Sequence, residues 1–344
     1  MPRRDWRARA SKLYKGLVSG GITETENALN AIYRDAWKGL SATIQKYFDA
    51  YAARDSAMYK EFEAGKITEA YYKQWRVNNI GRGRRFEDLR DNTAQRLLSA
   101  NQQAAAYVNN DSAAMYALGH DYTAYTIEAA LPAARAGDIG ARINFNLTPE
   151  RAIREAVNGG NHVNFRVLSV NPVRDYQWNA ERITQIVASG LQQGKSVQDI
   201  AKDFLTVMQN NEYAAIRNAR TALTSAAGAG CQAAAEEAED MGLKVLKEWV
   251  ATDNGDDRTR KSHMELNGVR VPVDEPFPNG LMYPGDPAGE PAEVYNCRCT
   301  MITVVEGLND AARTNNNVQS YQKWRASKNE RVSDQQRGQR TKGA

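Results

Sequence analysis

The sequence predicts an α+β fold that is predominantly helical, with a long N-terminal helical arm and a C-terminal helical bundle feeding a small β-sheet. Three observations carry this. Apolar residues recur at spacings of three and four in both halves of the chain, the signature of amphipathic helices. Short β-branched or alternating runs cluster after Gly242. Between the helical halves, residues 132–172 mix Pro, Gly and Asn, as a connection does.

From Thr23 to about Phe62, Leu29, Ile32, Tyr33, Trp37, Leu40, Ile44, Tyr47, Phe48 and Tyr51 fall on one stripe that only Gly39 interrupts. Thr68, three residues before Tyr71, is placed to cap a shorter helix. The stretch "NNIGRGRR" breaks the pattern before a long run from Phe86 to about Leu131, where "SANQQAAAYVNNDSAAMYALG" predicts close helix packing rather than a wide core. One short helix, with Thr148 as cap and Pro149 in its first turn, is expected inside the connection.

The helical period resumes at about Val173, with Ile183, Ile186, Val187 and Leu191 on one stripe ending near Gly194. Ser196 and Asp199 then open a second helix holding Val197, Ile200, Phe204 and Leu205. A third, "EYAAIRNARTALTSAAGAGCQAAAEEAEDMG", stops at Gly242, and "LKVLKEWVA", "VRVPV" and "TMITVV" follow as strands. The expected organisation is a basic segment 1–20, a helical arm 21–131, a linker 132–172, an α+β domain 173–306 and a basic, disordered tail 307–344.

A chain of 344 residues with 42% hydrophobic content can bury a sizeable core without disulfides, and its mean hydropathy of −0.64 is that of a soluble protein. Three cysteines is an odd count, no apolar segment follows "MPRRDWRARA", and nowhere do eighteen apolar residues run together. A reducing cytoplasm and no membrane are therefore expected. The net charge of +4 is unevenly spread: residues 1–15 carry +5 and residues 313–344 carry +6, so the body between them is −7. Basic ends on an acidic body suit a polyanion or an acidic surface of an assembly. Arg3, Arg4, Arg7, Lys323, Arg325, Lys328, Arg331, Arg337, Arg340 and Lys342 are the candidate contacts to nucleic acid, through its backbone and without base preference. Solvated termini kept polar for solubility are the competing reading of the same charges.

Two loops hold most residues capable of chemistry. "WVATDNGDDRTRKSHMELNG" contains Asp253, Asp256, Asp257, Arg258, Arg260 and His263; "YPGDPAGEPAEVYNCRC" contains Asp286, Glu290, Glu293, Cys297 and Cys299. If the flanking strands pair, the loops are neighbours. His263, Cys297 and Cys299 supply three zinc ligands, with an Asp or the distant Cys231 as a fourth. One residue between two cysteines makes it hard for both sulfurs to face one ion without bending the strand. The alternative keeps the thiols as packing at a strand start, with His263 hydrogen-bonded to a loop carbonyl. Catalysis by His263 with an Asp, or by Cys297 as nucleophile, lacks a phosphate loop, a His-Glu-x-x-His or a nucleophile elbow. Asp253, Asp257, Arg258 and Arg260 can staple the loops by capping and ion pairing.

Taken in order, "RNARTALTSAAGAG", "KEWVATDNGDDRTRKSHMELNG", "LMYPGD" and "AEVYNCRCTMITV" resemble the phage head morphogenesis family, the minor head proteins of the phage Mu F and SPP1 gp7 kind, over about residues 174–306. The resemblance implies a non-enzymatic structural protein of a tailed phage or prophage. It would be made in the host cytoplasm and built into the procapsid beside the portal protein, in contact with major capsid or scaffold protein, inside the virion and near packaged DNA. Some members carry cysteines where this chain has Arg260 and His263, and a histidine at Val294; the smaller set here implies that hydrogen bonds and ion pairs hold the loops. A metal-dependent nuclease or hydrolase using His263 and the Asp and Cys loops is the alternative function.

Overall fold

The computed structural model describes residues 6–131, 143–148, 150–157, 165–252, 259–306 and 320–329. Long helices dominate: α1 (Trp6–Glu63), α2 (Glu69–Asn79), α3 (Arg84–Ala130), α4 (Glu150–Val157), α5 (Pro172–Gln192) and α6 (Val197–Asp240). They are followed by β1 (Val245–Val250), α7 (Lys261–Glu265), β2 (Arg270–Pro272), α8 (Pro291–Val294), β3 (Thr300–Val305) and a last helix, α9, at 320–329. The helical α+β class and the small sheet are those the sequence predicts. No helix among the described residues is long and apolar enough to cross a membrane.

Local signals explain the boundaries. Thr68 accepts from the Tyr71 N–H and caps α2, Asn171 accepts from the Arg174 N–H and caps α5, and Ser196 accepts from the Asp199 N–H while donating to its carboxylate. The two helices expected between Ser196 and Gly242 are one, α6. The polar stretch around Asn210 and Asn211 looks like a turn, but no Pro or Gly interrupts it and Asn211 is satisfied inside the fold. Likewise α1 begins at Trp6 and passes through Gly16, Gly20 and Gly21 without a break.

The chain packs as two compact units, each drawn from separate stretches: one comprises Met1–Thr25, Val108–Leu168 and Arg217–Ala344, the other Glu26–Tyr107 and Ser169–Ile216. The second unit is a helical bundle around Leu40, Ile44, Phe48, Phe86, Leu97, Ile183, Val187, Ile200 and Phe204. A polar relay threads it. Tyr33 donates to Asn101 at 2.6 Å, Asn101 to Asn211 at 3.0 Å, and Asn211 to Asn179 at 2.9 Å, linking α1, α3, α6 and α5. Arg76, 1% exposed, forks onto both carboxylate oxygens of Asp55 at 2.8 and 3.1 Å and also donates to the carbonyls of Leu191 and Lys195.

The first unit holds the sheet, ordered β2-β1-β3 and antiparallel throughout, with Trp249 opposite Met301 and Glu248 opposite Arg270. Strand alternation turns Val245, Lys247 and Trp249 to the same buried face. Lys247 is tolerated there because its ammonium meets the carbonyls of Val273 and Met282 at 2.9 and 2.8 Å and the Gln232 amide oxygen at 3.3 Å; burial still lowers its pKa to about 8. Helices α3 and α6 approach to backbone contact: a Cβ on Gly230 would stand 2.0 Å from the Tyr116 carbonyl oxygen, and one on Gly119 2.2 Å from that of Ala227. The Ala-rich sequence is what makes this close approach accessible.

Residues 320–329, read from the sequence as part of a disordered tail, form a packed helix. Tyr321 meets Tyr122 and Tyr125, and Trp324 donates to Glu128 at 2.7 Å. Of the candidate nucleic-acid contacts, Lys328 is 5% exposed and donates to Glu128, Asn144 and the Phe145 carbonyl, so its charge is used within the fold. Arg325 reaches Asp121 at 3.7 Å, and Lys323 is exposed. Arg3, Arg4, Arg331, Arg337, Arg340 and Lys342 lie outside the described residues, as does the side chain of Arg7.

Candidate functional site

The candidate site forms where the loop after β1 meets the segment entering β3. His263 sits on the short helix α7, and Cys297 and Cys299 precede β3. Because β1 and β3 pair directly, these three residues meet at one end of the sheet. The His263 ring is 1% exposed and each thiol 2%, and Nδ1 lies 3.5 Å from both sulfurs. His, Cys and Cys ligand atoms lie within 4.8 Å of one another.

The difficulty of aiming both sulfurs of a Cys-x-Cys at one point is solved by the backbone. Asn296, just before the pair, adopts the left-handed conformation, φ 59°, which a short polar side chain tolerates and which turns the whole Cys-x-Cys segment. Regular strand geometry begins only at Thr300, so the two cysteines sit in a turn rather than on opposite faces of a strand. In that turn the Cys299 N–H donates to the Cys297 sulfur at 3.4 Å. The Cys299 thiol is held below its ordinary pKa by the hydrogen bond from Cys297, against burial, while that same shared proton and burial push Cys297 up.

The other imidazole nitrogen is also engaged. Nε2 lies 2.8 Å from a carboxylate oxygen of Glu293, which additionally accepts from Ser262 at 3.3 Å and Asn279 at 3.4 Å. The Trp249 and Phe277 rings complete the surroundings: Trp249 meets both the His263 imidazole and Phe277 edge to face, each at 5.1 Å. The sequence places Glu293 among the residues of the second loop capable of chemistry, four residues before Cys297 in "AEVYNCRC", but carries no sign that it pairs with His263. Ser262, Glu265, Asn279 and Glu293 also border an open surface pocket with Leu266, Val269 and Pro278.

Helix α6 supplies the floor. Thr221 accepts the Asn296 N–H at 2.9 Å and Thr224 donates to the Cys297 carbonyl at 2.8 Å, two hydroxyls one turn apart gripping the same turn of chain. Thr252 donates to the Arg298 carbonyl, and Arg260 to the Tyr295 carbonyl. Arg166 lies 4.7 Å over the Tyr295 ring. Asp253, Asp257 and Arg258 lie outside the described residues. Cys231 does not join the cluster. Its thiol donates to the Tyr14 hydroxyl at 3.0 Å within the helical core, where burial raises its pKa to about 11.

The motifs that suggested a family are therefore neighbours in space: the Arg-Thr of α6 and Trp249, His263 and the two cysteines. Residues 181–302 match the family model of the Phage Mu protein F like proteins. This Mu F-like span contains His263, Glu293, Cys297 and Cys299, and Thr221 and Thr224 beneath them. A match to the Minor head protein GP7 of Bacillus phage SPP1 extends well beyond it, at 24% identity over 83% of this chain and 84% of that protein. The chain is 35% identical to the NAD(+)--arginine ADP-ribosyltransferase EFV of Enterococcus faecalis over 43% of its own length but spans only 31% of that enzyme. It is 26% identical over 42% of its length to the uncharacterized protein YqbB of Bacillus subtilis, of which it spans 52%. No solved structure matches the chain. The similarity thus supports a phage head protein.

Proposed function

We propose that the chain is a structural minor head protein of a tailed phage or prophage, acting in procapsid assembly through contacts with the portal protein and with major capsid or scaffold protein. The observation that carries this reading is the pairing of a Mu F-like span, 181–302, with similarity to a minor head protein along most of both chains. In this reading the protein is made in the host cytoplasm and carried inside the head near the portal. Its basic ends touch packaged DNA without sequence preference, through Lys323 and the Arg and Lys residues outside the described segments.

The site is built to hold chain segments together. The His263 ring and both thiols are buried and Nε2 is held by Glu293, so no nitrogen faces solvent where a substrate could give it a proton. This favours the structural reading over a nuclease or hydrolase that uses His263. Co-expression with the portal protein of the same phage tests the assembly role. Co-purification of the two supports it; a chain that never associates with portal, capsid or scaffold protein, yet cleaves DNA in a His263-dependent way, replaces it with the enzyme.

A further inference from the structure

We propose that His263, Cys297 and Cys299 form a zinc site, with Nδ1 and the two sulfurs at three corners of a tetrahedron and Glu293 holding the imidazole in place. Distance is the first argument. Zinc–sulfur bonds of about 2.3 Å and a zinc–nitrogen bond of about 2.0 Å at a tetrahedral angle put sulfur and nitrogen about 3.5 Å apart. Both observed nitrogen–sulfur separations are 3.5 Å.

The tautomer is the second argument. A carboxylate can only accept, so the 2.8 Å contact makes Nε2 the protonated nitrogen and turns the Nδ1 lone pair toward the sulfurs. A carboxylate behind the histidine is the arrangement that orients imidazole ligands in zinc proteins. Glu293 is itself steadied by Ser262 and Asn279. The third observation is convergence: from the irregular segment before β3, two sulfurs one residue apart in sequence both face the same nitrogen, and the Cys299 amide donates to one of them.

Binding is balanced simply. Each thiol releases its proton to solvent, Nδ1 offers its lone pair, Nε2 keeps its proton on Glu293, and a fourth donor takes the remaining corner. The ion would tie α7, which follows β1, to the turn that enters β3, reinforcing what Thr221 and Thr224 do from α6.

The test is a cobalt(II) titration of the full-length protein after chelator treatment, read by absorption. The expected result is one ion per chain, with a thiolate-to-cobalt charge-transfer band and the d–d bands of tetrahedral coordination, all displaced by zinc. Cys297→Ser and Cys299→Ser are expected to lose the charge-transfer band of the wild type. Cys231→Ala is expected to keep it. Glu293→Gln, a change at a positioning residue, should weaken affinity roughly ten- to a hundredfold while leaving the spectrum's shape intact. Wild-type protein that takes up no stoichiometric metal, or whose band depends on Cys231 instead, overturns the proposal; this holds whether or not the cysteine variants fold.

Discussion

The hydroxyl of Thr224 in α6 donates a 2.8 Å hydrogen bond to the carbonyl oxygen of Cys297, 73 residues further along the chain. With Thr221 on the Asn296 N–H, this explains why an Arg-Thr pair in an Ala-rich helix accompanies a Cys-x-Cys turn. Thr224→Val keeps the shape and removes the donor, leaving a buried carbonyl unpaired. It should cost about 1–3 kcal/mol by urea denaturation, and Thr224→Ser should recover most of it. Equal stability of Thr and Val at this position would show that the bond carries no weight.

The crossing of α3 and α6 should be intolerant of a single methyl group. Gly230→Ala places a Cβ against the Tyr116 carbonyl and the His120 amide, backbone atoms that cannot swing away. A loss of about 1–3 kcal/mol is expected. Gly16 is also helical, yet a Cβ added there would meet nothing within 4 Å, and Gly16→Ala should raise stability by about 0.5–1 kcal/mol. Thermal melts of the two variants should move in opposite directions.

Removing either partner of the Arg76–Asp55 pair strands a buried charge. Arg76→Met and Asp55→Ala should each destabilise the helical bundle by about 3–5 kcal/mol, while the double replacement should cost less than the two added together. A strictly additive double-mutant cycle would mean that the pair is not coupled.

His120 supplies a pH dependence. Burial alone would lower its pKa, but hydrogen bonds to Asp121 and Glu237 prevail and raise it to about 9 from an ordinary value of 6.5. A raised folded-state pKa contributes stability that is complete below pH 6.5 and is lost as pH rises through 9. The contribution is on the order of 2–3 kcal/mol. Lys247, lowered to about 8, acts oppositely between pH 8 and its ordinary 10.5. The stability difference between wild type and His120→Gln isolates the first effect; it should shrink from pH 6 to pH 9, and a constant difference would refute the assignment.

Lys328 and Lys323 stand five residues apart but should behave differently. Lys328→Met leaves Glu128 without its 2.6 Å ammonium partner and should lower the melting temperature without altering DNA binding. Lys323→Ala should leave stability unchanged and reduce the salt dependence of any DNA binding. The reverse pattern would exclude α9 as an element of the core.

Much of this architecture is legible in the sequence because it rests on periodicity and caps. Leu40, Ile44 and Phe48, Ile183 and Val187, and Ile200 and Phe204 form the expected stripes and meet in one core. Thr68 and Ser196 cap where their spacing indicates. What stayed hidden is polar chemistry turned inward. Asn211 resembles a turn residue until Asn101 and Asn179 are seen to satisfy it. Lys247 contradicts the buried face it occupies until three acceptors converge on it, and Lys328 resembles tail charge until Glu128 is found beside it. Such partners lie far away in sequence, and composition carries no trace of them. The convergence of the two cysteines was hidden for another reason: it depends on the irregular backbone of residues 297–299, which gives way to regular strand only at Thr300.

The most direct test of the assembly role is the protein composition of procapsids and virions from the parent phage or the induced prophage, measured by quantitative mass spectrometry. A structural minor head protein predicts this chain at a fixed ratio to the portal protein in purified particles. Its complete absence from both procapsids and virions would contradict the account.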